Sequence, residues 1–172
     1  MVEPDGRVVV KAPLLTRKST IEEFLYRKLD WIEKAQKRME KRRDAAEKEG
    51  IKTTPYTSDE LNNLKKLAKS VIPVEVESMA RIMGVSYGRI SVRAQKTRWG
   101  SCSSDGNLNF NCLLMQLPPN VRRYVIVHEL SHRRHMNHSK AFWTEVERYH
   151  PDYKKDRKTL KILGPSLLDR LP

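Results

Sequence analysis

The segment Val125-Ile126-Val127-His128-Glu129-Leu130-Ser131-His132-Arg133-Arg134-His135-Met136-Asn137-His138 constrains this chain more than any other. It sets His-Glu-x-x-His behind an apolar run, the arrangement of a helix that presents a metal. On an α-helix residues four apart lie one above the other, so His128 and His132 can aim two imidazoles at one ion about 2 Å away. Glu129 lies about 100° round the helix from His128. From there it reaches water beside the ion without ligating the ion, as a general base must.

A catalytic zinc takes three protein ligands and keeps a fourth position open. His135 continues the face of His128, but seven helical residues span roughly 10 Å, too far for one small ion. His138 follows His132 by six residues, the spacing of His-x-x-Gly-x-x-His in metzincins. His135 stands where that pattern has glycine, so Asn137, which tolerates left-handed backbone, is expected to make the turn. Glu145 or Glu147 is the alternative third ligand. Four of the five histidines fall within these eleven residues.

The chain of 172 residues has a net charge of +13, 38% apolar residues and 32% charged ones. That balance suits a globular chain with a heavily charged surface and allows a polyanionic partner such as nucleic acid, bound nonspecifically. No apolar run approaches the roughly 20 residues of a membrane span, and the N-terminus lacks a signal-peptide pattern. A cytoplasmic location is expected. Cys102 and Cys112 are too few and too far apart for a disulfide framework or a zinc knuckle.

Residues 1–52 read as an N-terminal strand and a long charged helical arm, and residues 53–172 as the metal-bearing domain, the whole expected to be continuous. Pro4-Asp5-Gly6 signals a turn and Arg7 to Ala12 a strand. Ser19-Thr20-Ile21-Glu22 reads as a capping box opening a long helix that Gly50 ends. Its charged end, Glu40 to Glu49, reads as a solvated helix with mixed-sign pairs rather than a nucleic-acid arm. A second box, Thr57-Ser58-Asp59-Glu60, opens a helix that Pro73 should kink or break and that ends at Gly84.

Arg89 to Ala94 and Leu108 to Asn111 alternate as strands. Between them Thr97-Arg98-Trp99-Gly100-Ser101-Cys102-Ser103 is either a surface for substrate or nucleic acid, with Trp99 stacking, or a hairpin loop with a core-anchoring Trp and a turn glycine. The strand Leu108 to Asn111, as an edge beside the metal helix, is expected to take an extended peptide by strand addition. Phe142, Trp143 and Val146 read as core anchors. Glu145 and Glu147 are also candidates to accept a hydrogen bond from a ligand histidine. Tyr149 and His150 are candidates to stabilise an oxyanion, although such residues at a helix end are usually structural. Gly164-Pro165 should stop the last helix.

Thr97 to Cys102, Leu108 to Asn111, His128-Glu129-Leu130-Ser131-His132 and Asn137-His138-Ser139-Lys140-Ala141-Phe142-Trp143 together resemble the YgjP-like metallopeptidase family, related to SprT-like and WLM peptidases. The resemblance spans roughly residues 3–162. It implies zinc at His128, His132 and His138, with Glu129 as the catalytic glutamate, in an α+β, zincin-like fold with a small antiparallel or mixed sheet. It also implies peptide-bond hydrolysis. Some relatives act on proteins crosslinked to DNA, which makes the basic surface suggestive. Ser131 stands where the family usually has alanine, and the N-terminal strand is short. The rival reading is a basic nucleic-acid-binding module with a structural zinc. Such sites are closed by a fourth ligand and are often cysteine-rich, and neither cysteine lies in the motif.

Overall fold

A computed structural model describes residues 7–48, 50–52 and 54–172, with only the backbone at Arg42. The chain forms two compact units, residues 1–52 and 53–172.

In the first unit, α1 (Lys18–Arg27) and α2 (Leu29–Lys48) are two helices where one was expected. The break falls at Lys28, whose ψ of 7° leaves the helical well. The expected capping box is not the cap. Arg17 occupies that position with no side-chain bond, so Ser19 and Thr20 lie inside the first turn. Gly50 closes α2 at φ 66°, with its N–H on the Glu47 carbonyl and the Ile51 N–H on that of Ala46. Glycine pays no Cβ penalty in this left-handed cap. The expected strand over Arg7 to Ala12 does not form, and only Val8 makes an isolated bridge. Val8 and Val10 instead face Phe24, Leu25, Trp31 and Ile32 across a hollow of about 230 Å³. The Pro4-Asp5-Gly6 turn lies outside the described residues.

The second unit opens with α3 (Ser58–Met83), whose capping box is complete: Thr57 Oγ1 accepts from Glu60 N–H and Glu60 Oε2 from Thr57 N–H. Pro73 does not break it. A proline inside a helix costs about 3 kcal/mol, but Ile72 and Val76 beside it are fully buried, and their packing holds the helix together. Gly84 ends it in the left-handed region.

Three short strands follow: β1 (Ile90–Arg93), β2 (Gly100–Cys102) and β3 (Leu108–Asn111). Their order is β1-β3-β2, with β1 parallel and β2 antiparallel to β3. Leu108 to Asn111 is therefore the central strand, and its expected role as an edge is wrong. Leu108 and Phe110 are fully buried, which suits a strand paired on both sides. The edge that lies against the helix carrying His128 is β2, in a stretch read as loop. Asn111, also buried, fixes that stretch. Its Nδ2 donates to the Gln95 and Arg98 carbonyls at 2.7 and 2.9 Å, its Oδ1 accepts from Leu113 N–H, and its own N–H donates to the Trp99 carbonyl.

A 3-10 turn over Cys112–Gln116 leads into α4 (Pro119–Ser131), buried on nearly every side through Val121, Tyr124 to Val127, Leu130 and Ser131. Pro119 at its first position needs no N–H partner. Arg122 fixes α4 to α3 by a bidentate pair with Glu75 at 2.7 and 2.8 Å. Then come α5 (Lys140–Tyr149), capped by Ser139, and α6 (Tyr153–Leu168). Gly164 and Pro165 lie within α6 rather than stopping it, because the buried Leu163 and Leu167 keep the last turn packed. The fold is α+β with a small mixed sheet. Among the described residues no helix is long and apolar enough to cross a membrane.

Candidate metal centre

His128 and Glu129 sit in the last turn of α4, and His132 is its C-terminal cap. The chain then tightens: Arg133 N–H reaches the Leu130 carbonyl, and Arg134 and His135 both donate to Ser131 O. That turn, rather than a left-handed Asn137, reverses the chain, since no described non-glycine residue has positive φ. Ser131 is harmless in place of alanine because its buried hydroxyl bonds the Val127 carbonyl at 2.7 Å.

One ligating atom from each of His128, His132 and His138 lies within 4.8 Å of the other two. His128 Nε2 and His138 Nε2 are 3.1 Å apart. Two nitrogens each about 2.05 Å from a tetrahedral ion lie about 3.3 Å apart, so the pair fits such an ion. His132 Nδ1 donates to the His135 carbonyl at 3.1 Å. A carbonyl only accepts, so this bond leaves the Nε2 lone pair of His132 for a ligand. His135 thus serves through its backbone and not as a ligand.

Phe142 forms the floor of the cluster, its ring centroid 4.9, 4.6 and 4.7 Å from those of His128, His132 and His138. Trp143, read from sequence as a core anchor, stacks on His138 at 5.8 Å and on Tyr153 at 5.5 Å. His128 is further enclosed by Tyr124, and its Nδ1 is buried without a partner. Burial above all, and then the neighbouring His132 and His138, pushes its pKa down to about 3. It is therefore neutral at neutral pH, the form that ligates a cation. Glu129 is 5% exposed, and burial pushes its carboxyl up to about 8. Arg157, missed in the sequence, sets its guanidinium over Trp143 at 4.5 Å and contributes to lowering His128.

The other candidates lie elsewhere. Glu145 pairs with Arg134 and Glu147 with Lys154, so neither is a ligand or a partner of a ligand histidine. His150 is buried against Asp156 at 2.6 Å, and Asp156 also bonds Asn120, a structural arrangement behind α4. Tyr149 lies under the Arg148 guanidinium. Neither Cys102 nor Cys112 belongs to the histidine cluster.

Two arginines between the second and third histidines also escaped sequence reading. Arg133 bonds the Ser86 and Ser104 carbonyls at 2.9 and 3.1 Å, and Arg134 bonds the Met83 carbonyl at 2.6 Å besides Glu145. Together they tie the turn between His132 and His138 to the sheet loops, α3 and α5. Their partners lie 11 to 51 residues away, so no local pattern announces them.

A family model described as "YgjP-like, metallopeptidase domain" matches residues 1–62 and 57–162. The chain belongs to the YgjP-like metallopeptidase family. The match takes in every residue of the histidine cluster and Glu129, so the cluster lies in a metallopeptidase domain. Among solved structures, the metallopeptidase zymogen abylysin of Pyrococcus abyssi is 23% identical at a TM-score of 0.49, over 55% of this chain and 96% of that one. The zymogen jannalysin of Methanocaldococcus jannaschii is 24% identical at 0.46, over 53% and 92%. No curated protein matches this YgjP-like chain significantly.

Proposed function

We propose that this metallopeptidase holds one zinc ion on His128, His132 and His138 and cleaves protein or peptide backbones with Glu129 as general base. The convergence of three imidazole nitrogens on the His-Glu-x-x-His turn carries the reading. Among the described residues the donor set is three nitrogens and no other protein group, which suits a catalytic zinc better than a structural one. When bound, zinc supplies Lewis acidity, polarising a carbonyl and lowering the pKa of water to about 7.

The chain's own residues do the rest. The His132 ring is oriented by the His135 carbonyl, and the Phe142 floor excludes water from beneath the imidazoles. The Glu129 carboxylate takes a proton from the attacking water and returns it to the leaving amine. Its burial favours holding that proton between the two steps. The free side of β2, beside α4, is the place for an extended substrate to add as a strand. The catalytic unit is residues 53–172, with residues 1–52 an appended arm.

Cleavage of an unfolded protein should disappear with chelator and return with zinc. Glu129→Gln should keep stoichiometric zinc and cleave nothing; activity in that variant would remove Glu129 from the mechanism. Arg89, Arg93, Lys96 and Arg98 are exposed around the sheet and support a nucleic-acid-associated substrate. Running the assay with and without DNA at two salt concentrations tests that part separately.

A further inference from the structure

Trp99-Gly100 has no turn to make. Gly100 lies in β2 opposite Phe110, and its φ is not in the left-handed region, where the described glycines are 50, 84 and 106. The backbone there would suit any residue, so the missing side chain has to be explained by space. A Cβ at position 100 would lie 2.6 Å from Glu129 Oε1, 2.7 Å from its Cγ and 2.9 Å from its Cδ. All three contacts fall on one side chain, and all are closer than van der Waals packing permits.

Among the described residues no donor hydrogen-bonds that carboxylate, so packing against neighbours such as Gly100 bears on its position. The Gly100 wall cannot retreat. Trp99 O is held by Asn111 N–H at 2.9 Å, and the preceding loop by Asn111 Nδ2. On the α6 side the Trp99 indole lies against Gly164 so closely that a Cβ there would meet it at 3.0 to 3.2 Å. The dipeptide is thus wedged between α6 and the side chain of Glu129.

We propose that Gly100 is a positioning residue for Glu129: its bare α-carbon is the wall that fixes the carboxylate, and the Trp99–Gly164 contact backs that wall. This rests on Glu129 being the base. An added methyl at position 100 drives the carboxylate aside while leaving the three histidines in place. A misplacement approaching 1 Å costs on the order of 100-fold in rate. Gly100→Ala should therefore lose about 100-fold in kcat with KM little changed and zinc content still one per chain.

The decisive reading does not use activity. Thermal unfolding of the metal-free proteins in a double-mutant cycle should show Gly100→Ala lowering Tm by about 5 °C when Glu129 is present. In the Glu129→Ala background, where the clashing atoms are gone, the same change should have almost no effect. Should Gly100→Ala fail to fold, recovery of folding in Gly100→Ala/Glu129→Ala supports the assignment, and failure of both overturns it. An equal Tm loss in both backgrounds also overturns it. The two hypotheses fail separately: an active Glu129→Gln enzyme sinks the general base while the cycle still reports the contact. A null cycle beside an inactive Glu129→Gln enzyme sinks only the role of Gly100.

Discussion

Glu129→Gln should stabilise the metal-free protein, by an amount that depends on pH. The folded carboxyl keeps its proton up to about 8, against an ordinary value of 4.5, because it is buried. Between those two values the folded state binds more protons than the unfolded one, so stability falls as pH rises. The cost is close to zero at pH 4.5, about 3 kcal/mol at pH 7 and about 5 kcal/mol in the high-pH limit. Glutamine cannot ionise and avoids all of it. For a chain of this size 3 kcal/mol corresponds to a rise in Tm of roughly 10 °C. The assay is urea or thermal unfolding of chelator-treated wild-type and Glu129→Gln protein at intervals from pH 4.5 to 9. The difference between them should grow with pH and level off above 8. A difference that does not vary with pH, or a variant less stable than wild type at pH 8, would refute the claim that burial of this carboxyl group costs stability once it ionises.

Three further outcomes follow from the geometry. Asn111→Ala strands two carbonyls and one N–H that its side chain now satisfies, a loss of about 3 kcal/mol at about 1 kcal/mol each, measurable by denaturant unfolding. Arg134→Met cuts the turn between His132 and His138 loose from Met83 O and Glu145 and should weaken zinc binding about tenfold in a competition titration. His138→Ala should lose zinc far more severely than His135→Ala with its imidazole removed, because residue 135 contributes only its carbonyl.

The clustering of the three histidines was legible because its information is local. His128, Glu129 and His132 are fixed relative to one another by helical geometry alone, and His138 follows within a short turn. The helix ends with strong local chemistry, the Thr57 box and the glycines at 50 and 84, were legible for the same reason. What was lost depends on partners distant in sequence. Pro73 read as a kink or break and Gly164-Pro165 as a stop, yet both helices run on, because buried neighbours on both sides outweighed the missing hydrogen bond. Gly100 to Cys102 read as loop because three residues carry no periodicity, and only pairing with β3 makes them a strand. Once β2 occupies that side, β3 becomes central and the open edge moves to Gly100. The contact between Gly100 and Glu129 joins residues 29 apart, and nothing in either neighbourhood announces it.

X-ray absorption at the zinc edge on the purified protein tests the central claim most directly. Three imidazole nitrogens at about 2.0 Å and one oxygen from solvent, with one zinc per chain, is the predicted first shell. A sulfur at about 2.3 Å, a fourth imidazole, or a protein that binds no metal would contradict it.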